Sequence, residues 1–158
     1  MGEELQNPAL LKDPVKISIT FPTNAYFMSG IRDFTFSMIK NMTSFSEQWA
    51  YRFQSIVDEL CNNAIEHGSA PLKEIKISFV YTPNEAIEIL VEDSGTGKSH
   101  MKADEMQKFV EEHRNPNYIS TELRGRGLSK IVAEWSDELT FTDASTGGLC
   151  VRVKKYLK

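Results

Sequence analysis

Glu59, Asn63 and His67 stand at i, i+4 and i+8 in the stretch Glu59-Leu60-Cys61-Asn62-Asn63-Ala64-Ile65-Glu66-His67-Gly68. On a helix turning about 100° per residue, Glu59 and Asn63 flank an apolar stripe rather than oppose it, so their side chains are expected at a rim beside the surface the helix covers. A carboxylate held there can take a proton from a hydroxyl or a water. An amide oxygen one turn later can complete the shell of a magnesium ion held mainly by phosphates. Taken alone, the same residues also suit a solvated helix face, and His67 reads as a boundary residue with no part in catalysis.

Two glycine-bearing segments add to this helix. Glu92-Asp93-Ser94-Gly95-Thr96-Gly97 comes directly after an alternating apolar run that ends at Val91. Asp93, at a strand end, can accept a hydrogen bond from an exocyclic amine, while Gly95 and Gly97 let backbone approach a flat ring or a phosphate with no Cβ in the way. The pattern suits adenine, although a loop that merely turns would look the same in isolation. Leu123-Arg124-Gly125-Arg126-Gly127-Leu128 precedes a helical run of Leu128, Ile131, Val132 and Trp135. Free amides at a helix start, the favourable dipole and close-approach glycines make an anion site, and Arg124 and Arg126 add charge. Gly125, Gly127 and Leu128 are therefore read as phosphate-binding; which of the two arginines meets the γ-phosphate stays open. Gly97-Lys98-Ser99 imitates the end of a P-loop, but that pattern needs glycine at position 92, where Glu92 sets a negative charge. The ligands implied are ATP and Mg2+.

The elements that must position these residues are legible from periodicity. Val15, Ile17, Ile19 and Phe21 alternate with polar residues as a half-buried strand, ended by Pro22. Phe27, Ile31, Phe34 and Met38 then recur at helical spacing, with Thr23 or Asn24 as cap. A second, long helix opens at Ser44-Phe45-Ser46-Glu47, a capping-box pattern, and runs to Gly68 with Trp49, Phe53, Val57, Leu60 and Ala64 on its core face. Ile75 to Tyr81 and Ile87 to Val91 alternate around Thr82-Pro83-Asn84-Glu85 and read as an antiparallel hairpin. A polar lid is expected at about 98–123, with a short helix near Ala103–Glu112. A third core helix runs from about Gly127 to Trp135, and strands around Glu138–Thr142 and Leu149–Val153 flank a turn at Ser145-Thr146-Gly147-Gly148. Helices clustered between hairpins fit best as one layer on one face of a sheet. The expected fold is an α+β two-layer sandwich with a mixed, mainly antiparallel sheet.

Bulk properties narrow the class further. The chain has 158 residues, enough for one domain with a proper core. Residues 1–14 read as a flexible N-terminal segment, and 15–158 as the domain. An apolar share of 41% and a charged share of 25% are ordinary globular values. A net charge of −4 with scattered Lys and Arg argues against direct nucleic-acid binding. Cys61 and Cys150 lack metal-ligand spacing and read as buried, reduced thiols. The N-terminus lacks the basic start and apolar run of a secretory signal, and no apolar stretch approaches ~20 residues, so the cytoplasm and no membrane contact are expected.

The order of these motifs resembles the histidine-kinase-like ATPase superfamily, which includes gyrase B and the histidine kinases and is built on the Bergerat ATP-binding fold. Within it the chain looks most similar to the anti-sigma-factor serine/threonine kinases, and the resemblance covers Val15 to Val153. Glu59-x-x-x-Asn63-Ala64-x-x-His67-Gly68 matches the N-box, implying Glu59 as general base and Asn63 as magnesium ligand. Asp93-Ser94-Gly95-Thr96-Gly97 matches the first glycine box, implying that Asp93 recognises the adenine amine. Gly125-Arg126-Gly127-Leu128 matches the second, which closes over the phosphates. The chain departs from the family near its last strand, where Gly148 is followed by Leu149 and Cys150 in place of the usual Gly-Thr-Thr.

The resemblance implies a dimeric kinase that captures a sigma factor and phosphorylates a STAS-domain anti-anti-sigma protein, with partner switching set by the charge change. Two other functions fit the same residues: a nucleotide-binding module that captures a sigma factor or another regulator without phosphorylating it, and an excised histidine-kinase catalytic domain.

Overall fold

The computed structural model describes residues 12–97, 102–112, 130–145 and 147–157. Strand β1 (Val15–Pro22) leads through a 3-10 turn (Ala25–Phe27) into helix α1 (Met28–Met42), and α2 (Glu47–Asn63) continues as a π-helical turn (Ala64–Gly68). The hairpin β2 (Glu74–Thr82) and β3 (Ala86–Glu92) comes next, then α3 (Ala103–Glu112), α4 (Lys130–Trp135) and the hairpin β4 (Glu138–Asp143) and β5 (Leu149–Tyr156). Asn24 is the cap chosen at the first helical turn, its Oδ1 accepting from Tyr26 N at 2.9 Å. In the expected capping box, Ser46 rather than Ser44 is the cap, its hydroxyl accepting from Trp49 N.

The five strands form one sheet in the order β1-β2-β3-β5-β4. Every pairing among the described strands is antiparallel, from Ile17↔Phe79 and Phe79↔Ile89 through Ile89↔Val153 to Leu139↔Val153. The mainly antiparallel sandwich is thus observed, with no parallel pair among the described strands. Asn84 makes the tight β2–β3 turn possible by adopting φ 62°, a left-handed conformation that Asn tolerates better than most residues.

The period of two sends Ile75, Ile77, Phe79 and Tyr81 of β2, Ile87, Ile89 and Val91 of β3, and Leu149, Val151 and Val153 of β5 to one face, where all are buried. The helices cover that face. Helix α1 lays Met28, Ile31, Met38 and Ile39 into the core, and the Phe34 ring meets Phe79 edge-on at 5.5 Å. Helix α2 contributes Ala50, Phe53, Ile56, Val57, Leu60 and Cys61. Between the two helices, Arg32 Nη1 donates to Asp58 Oδ1 at 2.7 Å. Arg52 sits over Trp49 at 4.7 Å and Trp135 at 5.4 Å, which ties α2 to α4.

The opposite face needs no second layer because its side chains satisfy one another. Ser18 and Ser78 hydroxyls bond at 2.9 Å, and Arg152 bridges Glu88 and Glu138. Tyr156 Oη donates to Glu138 Oε2 at 2.6 Å, and that bond holds the Glu138 carboxyl below its usual range. No helix among the described residues is long and apolar enough to cross a membrane.

Both cysteines are free and buried. Burial pushes the Cys61 thiol up to about 12, with the nearby Asp58 charge adding to it. A folded-state value above the unfolded one, about 8.5, means that this group's stability contribution is complete below pH ~8.5 and is lost as pH rises toward 12. Denaturant melts of the wild type should therefore lose roughly 1 kcal/mol per pH unit more between pH 9 and 11 than melts of Cys61→Ala. Parallel pH slopes for the two proteins would contradict the assignment.

Candidate functional site

The site is assembled where the end of α2 meets the ends of β3 and β5. The apolar stripe of α2 fixes its rotation against the sheet, so Glu59 comes to lie half-buried at the margin of the helix. Asn63 lies deeper than the rim expected from its helical angle, at 4% exposure. Its Oδ1 is buried and finds no hydrogen-bond partner among the described residues. A buried amide oxygen without a donor is costly, by about 1–3 kcal/mol, and an atom of this kind calls for a partner beyond the described residues.

Just beyond Asn63 the helix widens. Ser69 N reaches back five residues to Ala64 O at 2.9 Å, closing the π turn that carries His67 and Gly68. Such widened turns are frequent at functional sites. Here the turn delivers Gly68 beneath Asp93, where a Cβ on Gly68 would lie 1.9 Å from Asp93 Oδ2. His67 Nε2 is 3.7 Å from Glu66 Oε2.

Asp93 is buried at the exit of β3, with 5% exposure. Its Oδ1 accepts from Gly95 N at 2.9 Å, a side-chain-to-backbone turn two residues long, and from Leu149 N at 3.0 Å. Its own N–H donates to Leu149 O at 3.1 Å. This one carboxylate therefore organises the glycine loop and joins it to the start of β5. Gly95 holds φ 71°, and a Cβ there would meet Gly147 O at 2.4 Å; a Cβ on Gly97 would meet His67 O at 2.1 Å. Both glycines are needed for close backbone approach, which the sequence pattern anticipates for a ligand and which the fold itself already uses.

The departure at Leu149 and Cys150 is also explained by position. Leu149 gives Asp93 its backbone N–H, which any residue but proline supplies, and packs its side chain inward. Cys150 faces the other side of the sheet between Glu92 and Thr142, where burial, then the Glu92 charge, raises its thiol's pKa.

The structure thus brings Glu59, Asn63, Asp93, Gly95 and Gly97 into one region at the end of α2 and β3. Arg124, Gly125, Arg126, Gly127 and Leu128 lie outside the described residues, as do the expected lid outside 102–112, the start of the third helix and residues 1–11. Sequence reasoning gives no role to Gly148, whose missing Cβ leaves room for Asp93 O. It also misses the hydroxyls of Ser69, Ser94 and Thr96, which bind one another across the loop. Gly148 stands beside a turn glycine and looks like part of that turn; the hydroxyls carry little local signal, because apart from the Ser94–Thr96 contact their partners are 25 or 26 residues away.

Asn63 Oδ1 fits one ligand of a hard cation, and neutral amide oxygens are ordinary ligands of such ions. Among the described residues no group of three or more His, Cys, Asp or Glu could hold a metal, so a cation here would draw most of its ligands from a bound phosphate group.

The family model of the histidine kinase-like ATPase domain matches residues 21–155. The chain belongs to that family. This histidine kinase-like ATPase domain carries the family's expected ATP binding on the sandwich described above, with the matched segment covering β2, β3 and β4 whole, β5 up to Lys155, and only Phe21 and Pro22 of β1. A search of curated proteins finds no match to the chain.

Proposed function

We propose that this histidine kinase-like ATPase is an ATP-dependent serine/threonine protein kinase that acts as an anti-sigma factor. In this reading it captures a sigma factor, phosphorylates a STAS-domain anti-anti-sigma protein and regulates transcription in the cytoplasm by partner switching. The observation that carries the reading is the orphaned Asn63 Oδ1, one helical turn after a half-buried carboxylate and beside a glycine loop built on Asp93.

Asn63 would hold Mg2+ through that oxygen, and the ion supplies neutralisation of the charge that gathers on the phosphates. Glu59 accepts the proton from the acceptor hydroxyl as its oxygen bonds to the γ-phosphorus of ATP and the bond to the β-phosphate oxygen breaks, releasing ADP. Asp93 accepts from the adenine amine while its other contacts keep the loop in place. Gly125, Gly127 and Leu128, with Arg124 or Arg126, hold the phosphates. A homodimer is part of the proposal. It is supported by the edge position of β1, whose Ile19 and Phe21 line an apolar groove with Phe27, Ile31 and Phe34 of the adjoining turn and helix.

A second reading, a nucleotide-binding anti-sigma or regulator-binding module without kinase activity, is favoured by Leu149 and Cys150, which lack the hydroxyls expected on the adenine side. Incubation with labelled ATP, Mg2+ and candidate STAS proteins separates the two. Label on a serine or threonine of the partner supports the kinase; nucleotide binding with no label on any partner supports the module. Acid-labile label on a partner histidine would instead identify a histidine-kinase catalytic domain.

A further inference from the structure

We infer that Ser69, Ser94 and Thr96 form a hydroxyl lock that holds the adenine-side loop in register with the end of α2 and thereby sets nucleotide affinity. The inference rests on the nucleotide reading of Asp93, but on different side chains.

Ser94 N donates to Ser69 Oγ at 2.8 Å, and Ser94 Oγ donates to the same oxygen at 3.0 Å. A serine hydroxyl has one proton, so Ser94 can only accept in its 2.5 Å contact with Thr96 Oγ1. Thr96 is therefore the donor there, and its oxygen accepts in turn from Ala70 N at 2.9 Å. The chain runs in one direction, Ala70 to Thr96 to Ser94 to Ser69, and a fourth tie joins Gly97 N to Gly68 O at 3.3 Å. Residues 68–70 continue the π turn from Asn63, while residues 94–97 continue from Asp93. The lock is the feature that joins the two halves of the site on this side.

Its members differ in exposure, and that difference gives the inference its test. Ser69 is buried, at 4% exposure, whereas Thr96 is exposed. Water can replace the hydroxyl of Thr96 for Ala70 N–H and Ser94 Oγ, so removing it should cost the free fold little. Water cannot replace its positioning, because a solvent molecule does not tie the loop covalently to the chain. Ser69, Ser94 and Thr96 are positioning residues in this account; none is assigned to the reacting atoms.

The test is calorimetric titration of the full chain with Mg·ATP, together with melting of the free protein and phosphate-transfer kinetics. Thr96→Val keeps shape and removes the hydroxyl; two lost bonds predict nucleotide binding weaker by roughly five- to thirtyfold. The melting temperature of the free protein should stay within about 2 °C, since exposed polar changes seldom matter more. The rate at saturating ATP should change less than about twofold, because the contacts concerned act before the chemical step. Thr96→Ser should restore affinity, and Ser69→Ala should add little to Thr96→Val, as members of one network do.

Equal affinity of Thr96→Val and a wild type that binds would overturn the lock and leave the nucleotide reading standing. An affinity loss that Thr96→Ser fails to rescue, or that comes with a matching fall in melting temperature, would also overturn it. No heat from the wild type itself would overturn the nucleotide reading and the lock with it.

Discussion

Glu59→Gln is expected to lower phosphate transfer to the partner by about 10²–10⁴-fold while leaving Mg·ATP affinity within a few-fold of wild type. The substitution keeps the length and planarity of the side chain and removes its ability to hold a proton at neutral pH. In free energy the loss is about 2.7–5.5 kcal/mol of transition-state stabilisation, large against the few tenths expected of an ordinary half-exposed helix position. Glu59 stands one turn before Asn63 on a helix whose rotation is set by Phe53, Val57 and Leu60, all buried. Those apolar contacts, and not the carboxylate, set the rotation of α2, so the helix should keep its packing after the change. Single-turnover transfer, measured beside nucleotide titration, separates the outcomes. Unchanged transfer would remove Glu59 from the role of base; loss of both transfer and binding would make it a structural residue.

The resulting split between binding and chemistry is the reverse of that expected for Thr96→Val. One variant should lose rate with affinity intact, and the other affinity with rate intact. The contrast comes from geometry: Glu59 projects from the helix, whereas Thr96 only fastens the glycine loop to the residues just past the helix end.

The elements of this fold are legible because each carries its own period. Ile75, Ile77, Phe79 and Tyr81 announce a strand whatever surrounds them, and the short helix expected near Ala103–Glu112 is found there. The order of strands is not legible, since alternation says which face is buried and nothing about the neighbour. That β5 inserts between β3 and β4 becomes visible only through pairs such as Val91↔Val151. The end of α2 escapes a sequence reading for a similar reason. Ala64-Ile65-Glu66-His67-Gly68 has a helical composition, and a change from i+4 to i+5 bonding leaves no trace in residue type.

The site is legible in part. Glu59, Asn63 and Asp93 are ordinary residues one by one and stand out only through the order in which their motifs follow one another along the chain. The depth of Asn63 is not visible, because helical angle gives direction and not the height of the surrounding walls. The glycines announce close approach but not to which group. Gly95 and Gly97 read as leaving room for a ligand, and the structure shows each also making room for backbone of the same chain.

That observation leads to the largest expected effect on the fold. Gly148→Ala should destabilise the protein by about 3–5 kcal/mol and sharply weaken nucleotide binding. A Cβ at position 148 would stand 1.9 Å from Asp93 O, 2.6 Å from its carbonyl carbon and 2.7 Å from its Oδ1. The first two atoms are backbone, so no rotamer change can relieve the contact, and Asp93 must retreat by roughly 1 Å or more toward ordinary contact distance. Asp93 is held there by three bonds, to Leu149 N, Leu149 O and Gly95 N. Overpacking costs about 1–3 kcal/mol, and each bond strained or broken adds about 0.5–1.5 kcal/mol. For a domain of this size the sum corresponds to a melting temperature lower by about 10 °C or more. Gly30 supplies the contrast, because a Cβ there meets nothing within 4 Å and the residue lies inside α1. Gly30→Ala should therefore stabilise by about 0.5–1 kcal/mol through helix propensity alone. Thermal melts of the two alanine variants should move in opposite directions from wild type; if Gly148→Ala melted with the wild type, the close approach of β5 to Asp93 would not exist in solution, and Asp93 could not be the residue that joins the loop to the sheet.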